Sequence, residues 1–174
     1  HVASYYYLIS SLPMLKTQGE APMDYAAFLA MCQTAVGSGV YQTLETLTVD
    51  ADKGPLLSQW ASFYQALRRE LTYQRCVKLG RPCPVPSDRE AAITQAVTAA
   101  VNADDPLEGE RILLELQFRR LDDMIGLHNF DEHALYGYAM KLQLLERQQG
   151  FRYEAGKRAF DGLMDHIRQQ VVSL

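Results

Sequence analysis

The chain has 174 residues, 48% hydrophobic and 22% charged, the balance of an ordinary globular protein with enough length for a real core. Its formal net charge of −4 gives no overall basic field, which argues against nucleic acid or anionic lipid as a partner. No apolar run approaches the ~20 residues of a membrane span, and the stretch from Val2 to Leu15 has no basic leader of the secretory kind.

The three cysteines are Cys32, Cys76 and Cys83. Their odd number and lack of a short metal-like pair argue against a disulfide framework and against zinc, so a reducing cytoplasm is the plain expectation. Cys76 and Cys83 flank a Gly-Pro turn whose geometry the sequence does not reveal. His1 is left out of the fold reading.

In chain order, residues 5–12 (YYYLISSL) are β-prone and closed by Pro13. They read as a short extended segment or strand, or as a first turn leading into a helix. Asp24 is placed to cap a helix running to about Val36, with Phe28, Leu29 and Cys32 inward. Gly37-Ser38-Gly39 breaks it, and a shorter helix follows from Val40 to about Thr48. Pro55 suits a first helical position, and a long helix is expected from there to about Leu79. Its apolar face carries Leu56, Trp60, Phe63, Leu67, Leu71 and Val77, and Gly80 ends it.

The proline-punctuated stretch 81–86 is the best internal boundary. Ser87-Asp88-Arg89-Glu90 matches a capping box for an alanine-rich helix to about Val101. Asp105 and Pro106 open another, reaching about Leu127 with Ile112, Leu113, Leu116, Leu121 and Ile125 on one stripe. Asp131 caps a helix whose Leu135, Tyr138, Leu142 and Leu145 recur at helical steps. Gly150 is predicted to break that helix. A returning helix then carries Ala159, Phe160, Leu163, Met164 and Ile167 and ends near Val172.

The expected fold class is therefore all-α, a multi-helix bundle of about seven helices with short connections and a short N-terminal extended segment. It forms one domain over 1–174, or two lobes, 1–80 and 87–174, joined by the linker at 81–86. No heptad register persists along the chain, which argues against a long coiled coil.

Motifs for chemistry are sparse. His128 and His133 bracket Asp131, but the spacing fits neither H-E-x-x-H nor a Glu-x-x-His di-iron helix, and Asp131 already serves as a cap. No metal and no cofactor are assigned. Gly37-Ser38-Gly39 lacks the leading strand and the Gly-Lys-Ser/Thr of a phosphate loop. No Gly-x-Ser-x-Gly occurs and no cysteine has a local catalytic signature, so no enzyme is expected. Arg119 over Asp122 and Arg120 over Asp123 read as a structural ion-pair network that also draws in Lys141 and Arg147. Tyr5, Tyr6 and Tyr7 cannot all face one core, and they are the candidate interaction surface.

Two stretches carry a family resemblance. One is Tyr5-Tyr6-Tyr7-Leu8-Ile9-Ser10-Ser11-Leu12-Pro13, with Asp24-Tyr25 and Phe28-Leu29 beyond it. The other is Arg120-Leu121-Asp122, then Tyr138-Ala139-Met140-Lys141-Leu142-Gln143-Leu144-Leu145-Glu146-Arg147 and Gly156. Together they resemble a little-characterised bacterial family found beside V/A-type rotary ATPase genes, distantly similar to the C subunit (subunit d) of those ATPases. The resemblance covers both ends of the chain and is thin between about 40 and 110.

The resemblance implies a non-catalytic helical adaptor or accessory subunit that couples the central shaft to the membrane rotor ring, in the service of proton or sodium transport. It implies a cytoplasmic location, peripheral at the inner membrane through partner subunits. The C subunit is a funnel of three helical lobes, and this chain has room for about two. No catalytic residues come with the family. A free-standing interaction module, as a homodimer or regulator, is the second expectation, and an all-α metal-dependent enzyme the third.

Overall fold

The computed structural model describes residues 2–173, with side chains from Tyr5 onward; His1 lies outside the described residues. They form seven helices and no strand: α1 (Val2–Ser11), α2 (Tyr25–Gln33), α3 (Ser38–Thr46), α4 (Leu57–Lys78), α5 (Ala91–Val101), α6 (Pro106–Ile125) and α7 (Glu132–Val172). Helices α4, α5 and α6 pack in sequence and α6 packs on α7, while α1, α2 and α3 gather on the first half of α7. Buried side chains from both sides of the 81–86 linker join one hydrophobic core, from Leu8 through Trp60 and Val97 to Leu145.

The expected fold class holds, but the helix count matches through two offsetting differences. The N-terminus is helical rather than extended. Leu8 is buried, and Tyr5, Ile9 and Leu12 pack against the core beside it, a three- and four-residue rhythm that outweighs the β propensity of three tyrosines. At the other end no break occurs at Gly150, and α7 runs unbroken for 41 residues, about 60 Å. Nothing lies within 4 Å of a Cβ added there, so no neighbour forces a turn. The glutamines, arginines and glutamate around it are good helix formers, and no proline intervenes.

The helix starts divide by how local their chemistry is. Asp24 caps α2 by accepting from Ala27 N at 2.7 Å, and Asp105 caps α6 by accepting from Leu107 N at 3.0 Å, as expected. The capping box at 87–90 does not form. Asp88 is left-handed at φ 53°, Glu90 takes the N-cap position of α5, and its carboxylate pairs with Arg120 instead. Pro55 does not open α4, because Leu56 adopts φ 64° and the helix begins at Leu57.

Cys76 and Cys83 are joined by a disulfide with their Cα atoms 6.3 Å apart, within the ordinary range, and only Cys32 stays a free, buried thiol. The odd count therefore concealed a pair and a single, and it no longer argues for a reducing compartment. The bridge ties the end of α4 to the proline linker and limits how far 81–86 acts as a free hinge.

Candidate functional sites

The densest motif in the sequence, Tyr138 to Arg147 on α7, is a structural hub. Tyr138 donates to the Pro13 carbonyl at 2.7 Å and fixes the exit of α1. Lys141 pairs with Asp122 at the end of α6, its ammonium over the Phe118 ring. Gln143 donates to the Leu47 carbonyl at 2.7 Å and accepts from Val49 N at 3.2 Å, which pins the α3–α4 loop. Glu146 accepts from Tyr25 N at 2.6 Å at the start of α2. Arg147 reaches Asp50 and donates to the Tyr64 hydroxyl at 3.3 Å. Lys141, Gln143, Glu146 and Arg147 thus each hold another element against α7.

Neither expected pair along α6, Arg119–Asp122 nor Arg120–Asp123, forms, although Lys141 does join Asp122. Asp122 pairs with Lys141, and Arg120 reaches Glu90 thirty residues away while its guanidinium lies over Phe63. Arg119 and Asp123 line an open hollow of about 500 Å³ with Glu115 and Arg120. Spacings of three and four allow contacts along one helix, but crossings with α5 and α7 offer shorter ones. The most buried ion pair was not legible in the sequence. Glu70, 3% exposed, accepts from Arg89 at 2.6 and 3.1 Å and from Gln74 at 2.8 Å. The Arg89 hydrogen bonds outweigh desolvation and hold the Glu70 carboxyl below its usual pKa.

Tyr5, Tyr6 and Tyr7 divide as expected of three successive aromatics. Tyr5 is half-buried against the core, Tyr6 rests on Phe130 with ring centroids 4.8 Å apart, and Tyr7 is 73% exposed. Burial first, then the charges of Glu132 and Asp131, push the Tyr5 phenol up. The tyrosine face therefore adjoins the α6–α7 corner.

That corner brings together the residues the sequence had bracketed. Gly126 at φ 58° ends α6, and His128 N donates to Ile125 O at 3.0 Å. Asp131 Oδ1 accepts from His133 N at 3.0 Å and Ala134 N at 3.3 Å, the expected cap, while Oδ2 bonds the His128 ring at Nδ1. The His128 and His133 rings stack at 4.5 Å. Desolvation raises the Asp131 pKa, but hydrogen bonds from the His128 ring and from the Ala134 and His133 backbone N–H groups leave it lowered on balance.

The second feature is the outer half of α7. Tyr153, Phe160, Leu163, Ile167 and Val171 are between 42% and 69% exposed, on a helix that projects past the bundle. Phe160, Leu163 and Ile167 belong to the stripe expected of a returning helix, but α7 continues unbroken and leaves them in solvent. At the root of this arm Gln148, 6% exposed, borders a cavity of about 140 Å³ lined by Tyr64, Glu110, Gln117 and Arg147. Burial pushes the Glu110 carboxyl up there, with Arg75 pulling the other way. Among the described residues no helix is long and apolar enough to cross a membrane. Comparison with protein families, with curated proteins and with solved structures finds no match for this chain.

Proposed function

We propose that this chain is a non-catalytic helical adaptor that docks a helical partner along the outer half of α7. The observation that carries the reading is the arm itself. It is an amphipathic helix extending roughly 30 Å beyond the bundle, with Tyr153, Phe160, Leu163, Ile167 and Val171 in solvent. An exposed apolar stripe of this extent marks a protein-contact site in a soluble chain. Together these side chains expose on the order of 500 Å², enough with a matching partner for the lower end of specific interfaces.

The resemblance at both ends of the chain supports a V/A-type rotary ATPase as the assembly, with this protein between the central shaft and the rotor ring and held peripherally at the membrane by its partners. The α7 hub suits that role, since it fixes α1, α2, α6 and the α3–α4 loop to the helix that would bear the load. The test is co-purification of the full chain with the full-length shaft subunit. Retention by the native chain and loss in a Phe160→Asp, Leu163→Asp variant is expected; failure of the native chain to associate removes this reading.

The seven-residue steps from Tyr153 to Phe160 to Ile167 favour a second reading, in which two copies pair through their arms. Sedimentation equilibrium separates the two: a dimer of native mass that reverts to monomer in the same double variant supports self-pairing.

A further inference from the structure

His128, Asp131 and His133 each direct one ligand-type atom toward the others, and all three atoms lie within 4.8 Å of one another. In a tetrahedral site with metal–ligand bonds of about 2.0–2.2 Å, ligand atoms stand about 3.4 Å apart. Closing this set therefore takes side-chain shifts on the order of 1 Å. The side chains are 52%, 42% and 39% exposed, so each keeps a solvent-facing side toward which it can turn.

The backbone beneath them is already fixed. Hydrogen bonds from His128 N to Ile125 O and from Asn129 N to Leu127 O, each 3.0 Å, shape the corner. The cap bonds to His133 N and Ala134 N orient the Asp131 carboxylate, as hydrogen bonds orient ligating carboxylates in metal sites. A helix cap with one histidine bonded to it accounts for Asp131 and His128. It does not account for a second imidazole stacked on the first at 4.5 Å, with its Nδ1 3.8 Å from the same carboxylate.

Charge is consistent with a cation. The partial positive charge at the start of α7 opposes one, but Asp131 already engages two of the free N–H groups there and Glu132 adds a further negative charge. Two imidazoles and a carboxylate suit zinc and its neighbours rather than calcium or magnesium, which take oxygen ligands.

We propose that His128, Asp131 and His133 form a binding site for Zn²⁺ or a similar divalent transition ion, with water completing the coordination. The site bridges the turn after α6 to the first turn of α7, so a bound ion clamps that corner beside Tyr5 and Tyr6. It is independent of the adaptor reading.

Calorimetric titration of the tag-free, full-length chain with ZnCl₂, the Cys76–Cys83 disulfide intact, tests the proposal. One equivalent is expected to bind, with at least tenfold weaker binding in His128→Ala and in His133→Ala. His166→Ala, on the solvent-exposed arm, is expected to bind as the native chain does. Circular dichroism confirms that each variant is folded, and His133→Gln replaces His133→Ala should the latter unfold. Zinc is also expected to raise the melting temperature of the native chain and not that of the His128 variant. Absence of saturable zinc binding to the native chain, or equal binding by all the variants, overturns the site.

Discussion

At the scale of single residues, Glu70 shows how a polar group is kept inside this bundle. Its carboxylate is 3% exposed and would be costly to bury alone, but the Arg89 fork and Gln74 supply matched donors, and Arg89 also lies over the Tyr73 ring. Replacing it in Glu70→Gln leaves Arg89 without its anion, and a loss of about 1–3 kcal/mol at neutral pH is expected. The folded carboxyl has a lowered pKa, so its stabilising contribution is complete above the unfolded value of roughly 4.3 and is lost as pH falls through the folded one. Urea unfolding of both proteins from pH 7 to pH 3 should therefore show the gap between them closing on the acid side. A gap that stays constant across that range contradicts the pairing.

Residues also show what local sequence rules reach. Asp24, Asp105 and Asp131 cap as predicted because each acts on N–H groups two or three residues away. Glu90 fails as half of a capping box because Arg120, distant in sequence, is the stronger partner for its carboxylate. The disulfide belongs to the same lesson, since a pair of cysteines seven apart says nothing until the turn between them is built.

At the scale of elements, glycines separate close crossings from incidental positions. A Cβ added to Gly109 would stand 2.7 Å from the Ala100 carbonyl oxygen, so the absence of a side chain there sets how near α6 comes to α5. That oxygen is backbone and cannot rotate away. Gly109→Ala is expected to cost about 1–3 kcal/mol through overpacking, even though alanine is the better helix former. Gly150 has no neighbour within 4 Å of the same added atom and lies inside α7. Gly150→Ala is therefore expected to stabilise by about 0.5–1 kcal/mol. Thermal unfolding of the pair should shift in opposite directions, and a shared sign would show that one of these helix environments has been misread.

At the scale of the whole molecule, bundle and arm are energetically distinct. The buried core ends near Gln148, whereas beyond it the chain makes isolated contacts such as Arg152 to the Gly19 carbonyl at 3.3 Å. Deleting residues 154–174 should lower helical signal in circular dichroism yet leave the melting temperature within about 2 °C, since little apolar surface is exposed by the cut. A drop of 10 °C or more would mean that the arm folds back and supports the bundle.

By itself the sequence determined the all-α class, the aspartate caps and the inward stripes of α6, of the first half of α7 and of α4 as far as Leu71, Val77 being exposed instead, because helical periodicity and capping are written within a few residues. It also marked the Tyr138–Arg147 motif as the densest in the chain, whereas the spacing of His128, Asp131 and His133 suggested no metal site. Tertiary structure alone decided that α1 is a helix laid on the core, that α7 passes through Gly150 and leaves the bundle, and that the ion pairs cross between helices. It also decided that two histidines and an aspartate of unremarkable spacing converge at one corner. These depend on which surfaces meet, and a glycine or an apolar stripe reads the same in the sequence whether its neighbour is a second helix or water.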